Sequence, residues 1–142
     1  MMKLMPGLDS SVSALQAERV RLEVIAQNIA NANTTKTAEG TPYQRQVVKF
    51  ETILQEKLGS NSEAVPQLVK AARIAKDGRP PQLVFQPGHP DANAEGIVAY
   101  PNVNIHEEMA DMIASSRAFE ANLAVIKNAR SMTLQTLAIG HR

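Results

Sequence analysis

The sequence predicts a mainly α protein. Long N- and C-terminal helices pair as an antiparallel coiled-coil hairpin, with a small β-rich central insertion. Three observations carry this prediction. Near the N-terminus an apolar stripe runs Leu8, Val12, Leu15, Arg19, Leu22, Ala26, Ile29. Near the C-terminus a second runs Ile105, Met109, Met112, Ser116, Phe119, Leu123, Ile126, Arg130, Thr133, Leu137. Both alternate steps of three and four residues, averaging about 3.5, the repeat of a coiled-coil seam. Between them the pattern breaks into short β-type runs separated by Pro- and Gly-containing turns. Three regions follow: 1–34, the N-terminal helix of an axial coiled-coil domain; 35–101, the insertion; and 102–142, the C-terminal helix of the axial domain.

Asp9 and Ser10 are N-cap candidates for the first helix, because their side-chain oxygens accept from orphan backbone N–H groups. The helix reads to about Ala30, and Arg19 and Glu23 stand one turn apart as an ion pair. The Asn-rich run Asn28-Ile29-Ala30-Asn31-Ala32-Asn33-Thr34-Thr35 closes it, since Asn tolerates the left-handed conformation and competes for backbone hydrogen bonds. The turn Ala38-Glu39-Gly40-Thr41-Pro42 leads to a strand over residues 43–50. Residues 51–58 read as a short helix or a continuation of that strand. Residues 59–66 read as a polar loop.

Leu68, Val69 and Ile74 mark the next strand, Leu83-Val84-Phe85 another, and residues 96–100 a last one stopped by Pro101. Asn102 or Asn104 caps the second helix, and Asn104 with Glu107 resembles a capping box. Glu107, Glu108 and Asp111 suit its positive end, and Gly140 suits the position just past its last turn. One helix over 105–137 is about 50 Å long. A compact globule of this chain length is only roughly 37 Å across. The helix therefore protrudes, and an exposed apolar stripe calls for partners.

Composition excludes several functions. Net charge is +1, which gives no basic field for nucleic acid, and the run Lys70, Arg73, Lys76, Arg79 reads as solvated surface. There is no cysteine, hence no disulfide, thiolate metal site or Cys nucleophile. No apolar run reaches the roughly 18 residues of a membrane span. The segment Met1-Met2-Lys3-Leu4-Met5-Pro6-Gly7 is no cleavable secretory signal. His89, His106 and His141 share no ligand spacing; of Glu107, Glu108, Asp111 and Glu120 the helix dipole explains the first three, and no catalytic dyad is expected. Asn33-Thr34-Thr35 fits a glycosylation acceptor, a triplet common by chance. No catalytic, cofactor or metal site is expected, and no small-molecule substrate or nucleic acid. The candidate site is instead an assembly interface: Leu15, Leu22, Ile29, Met109, Met112, Phe119, Leu123 and Ile126.

The segment Val24-Ile25-Ala26-Gln27-Asn28-Ile29-Ala30-Asn31-Ala32-Asn33-Thr34 resembles the signature closing the first helix of bacterial flagellar axial proteins. Asn28, Asn31 and Asn33 are its helix-closing residues. A second block is similar to the same group. It comprises Val98-Ala99-Tyr100-Pro101-Asn102-Val103-Asn104, Glu107-Glu108-Met109 and Asp111-Met112-Ile113, and continues through Ser116-Arg117-Ala118-Phe119-Glu120-Ala121-Asn122 to Leu137. Within that group the chain resembles basal-body rod proteins of the proximal-rod, FlgC type. Thr41 and Phe119 depart from the family's usual Gly and Tyr, and residues 52–93 carry little resemblance.

The resemblance implies a structural rod subunit. Such proteins leave through the flagellar type III export apparatus without a cleaved signal. They assemble helically in the periplasm with copies of themselves and other rod proteins, including proximal-rod neighbours and the distal rod. The rod transmits torque and encloses the export channel. The alternatives are another rod or hook subunit, or a soluble coiled-coil scaffold.

Overall fold

The computed structural model describes the backbone over residues 6–54 and 67–140, and the side chains over 8–50 and 73–139. Helix α1 (Pro6–Ala30) and helix α2 (Ile105–Gly140) enclose four strands: β1 (Gln46–Leu54), β2 (Gln67–Lys76), β3 (Gln82–Phe85) and β4 (Ile97–Tyr100). This is the mainly α hairpin with a β insertion that the stripes predict. The polar loop expected over 59–66 lies outside the described residues, as does His141.

Helix α1 begins earlier than expected. Pro at the first helical position loses nothing, because its missing N–H would be an orphan there. Asp9 and Ser10 thus sit inside the helix rather than capping it, with Asp9 in the first turn facing the positive end. The other end closes on Asn31. Its backbone N–H and side-chain Nδ2 both donate to the Gln27 carbonyl, at 3.1 and 2.9 Å, and its Oδ1 accepts from the Thr34 hydroxyl at 3.2 Å. The chain then folds back, with the Tyr43 N–H on the Thr34 carbonyl and Gly40 taking a positive φ of 77° in the intervening turn.

Strands β1 and β2 form an antiparallel ladder from Gln46↔Lys76 to Leu54↔Gln67, with a register shift between Lys49 and Phe50. The segment after Phe50 thus continues as strand to Leu54, not helix. Strands β3 and β4 form a separate ladder from Gln82↔Tyr100 to Phe85↔Ile97. Gly96 opens β4 at a φ of 77°, and a Cβ there would stand 3.0 Å from the Phe85 ring and from the Pro87 side chain.

Buried Pro101, Asn102 and Val103 lead into α2. Asn104 is its N-cap: Oδ1 accepts from the His106 N–H at 3.0 Å, the carbonyl accepts from the Glu108 N–H, and Nδ2 reaches Glu107 at 3.4 Å. The helix runs through Gly140, which is its last residue rather than the one beyond it. At 36 residues it is about 54 Å long, against about 38 Å for the 25 residues of α1.

The helices are antiparallel. Asn28 meets Glu108, and Arg21 meets Asp111 at 3.5 Å, so α1 descends as α2 rises. Few residues are fully buried. Among the described residues the apolar core is Ala17, Val24, Ile25, Ala32, Val98 and Val103.

Candidate functional site: apolar faces and a polar joint

The residues that close the helix pair are not the large ones of the stripes. On α1 they are Ala17, Val24, Ile25 and Asn28; on α2 they are Glu108 and Ser115, with Asn122, Ala129 and Thr133 half-buried further along. Asn122 and Thr133 satisfy their side chains on their own helix, through the carbonyls of Ala118 and Ala129. Small groups at Ala17, Ser115 and Ala129 let the two helices approach closely, although the buried Ser115 hydroxyl has no hydrogen-bond partner. Most of the large stripe side chains lie off this line.

Helix periodicity shows where they go. At about 100° per residue, Leu8, Leu15, Leu22 and Ile29 lie roughly a third of a turn or more beyond the buried line of α1. A rotation in the same sense on α2, by roughly 30° to 110°, brings Ile105, Met109, Met112, Phe119, Leu123, Leu134 and Leu137. The helices are antiparallel, so the same sense of rotation puts both sets on one side of the pair. Leu15, Leu22, Ile29, Met112, Phe119 and Ile126 are half-buried there. Met109 is 52% exposed and Leu123 36%, and beyond them Leu134 and Leu137 are 57% and 60% exposed. The β1–β2 arm packs on the other side, where Arg21, Val24, Asp111, Val47, Val48 and Phe50 line a cleft of about 350 Å³. On that second flank α2 again shows apolar side chains: Val125, Met132 and Ile139, all more than half exposed and spaced by seven residues. The C-terminal half of α2 is thus apolar on both flanks.

The other end of the pair is its physical opposite. Glu108 is fully buried. Its Oε1 accepts from Arg45 Nε at 2.6 Å and its Oε2 from Asn28 Nδ2 at 3.0 Å. Asn28 uses its whole amide. Nδ2 also donates to the Gln46 carbonyl, while Oδ1 accepts from the Gln46 N–H and the Tyr43 hydroxyl, each at 2.9 Å. The Arg45 guanidinium continues to Asp77 at 3.2 Å and Asp111 at 3.7 Å. Asp77 in turn binds Arg79 at 2.9 Å, and the Arg45 N–H is held by Asn102.

Titration follows this geometry. Burial opposes the Arg45 charge, but the Glu108 carboxylate, and then Asp77, outweigh it and raise its pKa. Asp77 is lowered, first by the Arg79 backbone N–H, with burial opposing and the Arg79 and Arg45 side chains assisting. Tyr43 is raised by burial and by the Glu108 charge.

The dipole account of Glu108 drawn from the sequence is therefore incomplete. It sits in the first turn, yet its main partner is a cation 63 residues earlier. The helix-closing Asn residues also divide. Asn31 closes α1, Asn28 is a buried tertiary hub, and Asn33 is exposed. A single sequence carried no sign that Arg45 would find Glu108. The only hint was an acid on the inward line of a long helix. Among the described residues no group of three or more acidic or histidine side chains is placed to hold a metal, and no helix is long and apolar enough to cross a membrane.

Paired helices that leave many large apolar side chains exposed, with no metal cluster among the described residues, are the build of a structural protein. Residues 8–36 match the family described as Flagella basal body rod protein, and residues 94–139 match Flagellar basal body rod FlgEFG protein C-terminal. Full-length relatives agree. The flagellar basal-body rod protein FlgC of Borreliella burgdorferi is 38% identical, covering 97% of this chain and 98% of that protein. The FlgC of Bacillus subtilis is 37% identical over 94% and 96%, and that of Yersinia enterocolitica 38% over 98% and 99%. The chain belongs to the FlgC family of proximal-rod proteins. It is a structural rod subunit of the flagellar basal body, not an enzyme, and its family implies assembly with other rod components.

Proposed function

We propose that this subunit packs side by side with copies of itself and with neighbouring proximal-rod and distal-rod subunits. The product is a helical tube in the periplasm that transmits torque and encloses the export channel. The chain reaches that place through the flagellar type III export apparatus. The assembly interface is the apolar side of the helix pair: Leu15, Leu22, Ile29, Met109, Met112, Phe119, Leu123 and Ile126. One observation carries this reading: α2 exposes apolar side chains on both flanks of its C-terminal half. Two unlike flanks make a heterologous contact that does not close on itself, and such contacts build helical tubes.

The test is Leu123→Asp, which would bury an unpaired charge in that contact. Swimming and rod-containing basal bodies are expected to be lost while the protein is made and folded at wild-type level. Normal motility would remove Leu123 from the interface.

A further inference from the structure

The β1–β2 arm is attached to the helices in an unusual way. Among the described side chains it contributes nothing to the buried apolar core. Val47 and Val48 are half-buried, Phe50 is 38% exposed and Ile74 53% exposed. A two-stranded hairpin alone is marginally stable in water at best. What ties this arm down at its base is hydrogen bonding. The start of β1 enters a socket made of Asn28 from α1 and Glu108 from α2, and these two bond each other at 3.0 Å. Asn28 takes the Gln46 backbone on both its N–H and its carbonyl, and Glu108 takes Arg45. The end of β2 is tied in through Asp77, whose N–H donates to the Arg45 carbonyl at 2.8 Å and whose carboxylate binds the guanidinium.

We infer that the arm is seated by this two-part socket and is ordered only when α1 and α2 have closed on each other. Neither helix holds a complete site. With the pair open, Asn28 would lose Glu108, and Arg45 would have no buried carboxylate to enter. Asp77 of the arm itself also meets the guanidinium, but the fully buried carboxylate comes from α2. A charged group leaves water only for a formed partner, so Arg45 enters the socket only when both halves meet. The arm thereby reports helix pairing: a chain whose termini have not found each other carries no set arm. This inference concerns the monomer and does not rest on the assembly reading.

Amide hydrogen exchange on the purified full-length chain tests it, without any rod. In Asn28→Ala and Glu108→Gln, amides at 46–50 and 73–76 are expected to exchange roughly tenfold or more faster, with the mid-helix amides of α1 and α2 changed far less. Ala17→Asp opens the helix seam away from the joint, and it is expected to release the arm although every socket residue is present. Exposed Arg19→Ala is the control and leaves the arm unchanged. An arm that stays protected in Glu108→Gln or Asn28→Ala would overturn the inference. So would arm protection that survives in Ala17→Asp once the helices have lost theirs.

Discussion

The two ends of the helix pair solve opposite problems. At the joint, where α1 ends and α2 begins, a buried carboxylate, an amide and a guanidinium are fully bonded. Along the far half of α2, Leu134, Leu137, Val125, Met132 and Ile139 stand in solvent. A lone globular protein would put these groups the other way round, since apolar burial stabilises and charge burial costs. The inversion teaches where each contact is to be made. Directional polar bonds fix one geometry inside the chain, and on the proposed assembly the non-directional apolar area of the far half meets neighbours.

The joint is the more sensitive of the two ends to a single substitution. Removing one member of a buried charge pair leaves the other without compensation and costs about 3 kcal/mol or more. Glu108→Ala is expected to lower the thermal midpoint of the monomer by roughly 10 °C; a midpoint within 2 or 3 degrees of wild type would show that the joint is not a structural element. Asn28→Ala removes an acceptor and donor used by four bonds. It is expected to cost about 2 kcal/mol, measured by denaturant unfolding.

The apolar end should behave differently. Leu134→Asp or Leu137→Asp, at exposed positions, is expected to change monomer stability by about 0.5 kcal/mol or less. Co-sedimentation with basal bodies should nonetheless fail. A large loss of monomer stability would show these side chains to be core after all.

A pH experiment sharpens the joint further. The Asp77 pKa is depressed in the folded chain. Its contribution is therefore complete above the ordinary aspartate pKa of about 3.9 and fades as pH falls through the depressed value. Asp77→Asn is expected to start less stable at neutral pH and to lose less on acidification below about pH 4. An acid branch parallel to wild type would contradict the role given to Asp77. The smallest effect is expected at Arg19→Ala. Its pair with Glu23 spans 3.1 Å but both side chains are more than half exposed, so thermal unfolding should shift by no more than about 0.5 kcal/mol.

Both helices were legible because periodicity is a local property. The three-four stripes gave α1 to Ala30 and α2 from Ile105, and Asn104 with Glu107 gave the α2 start. The short strands showed through their turn residues, including Gly40 and Gly96 at positive φ. The start of α1 was hidden because Pro6 is compatible with both a loop and a first helical turn. The joint was hidden for a deeper reason. Arg45, Asp77 and Glu108 are separated by 32 and 63 positions from their partners, and nothing local in a charged residue says that it will be buried. The stripes also left open which face closes the pair: Leu15 lies nearly opposite buried Ala17 on α1, whereas Phe119 lies only about 40° around from buried Ser115 on α2.

The central claim is that the outward apolar side chains of α2 are covered by neighbouring subunits. The chain has no cysteine, so single Cys substitutions at Leu123, Leu134 and Leu137 report directly on cover. Maleimide labelling of these positions is expected to be fast in the purified monomer and strongly suppressed in isolated basal bodies. Equal labelling in both states would contradict the claim.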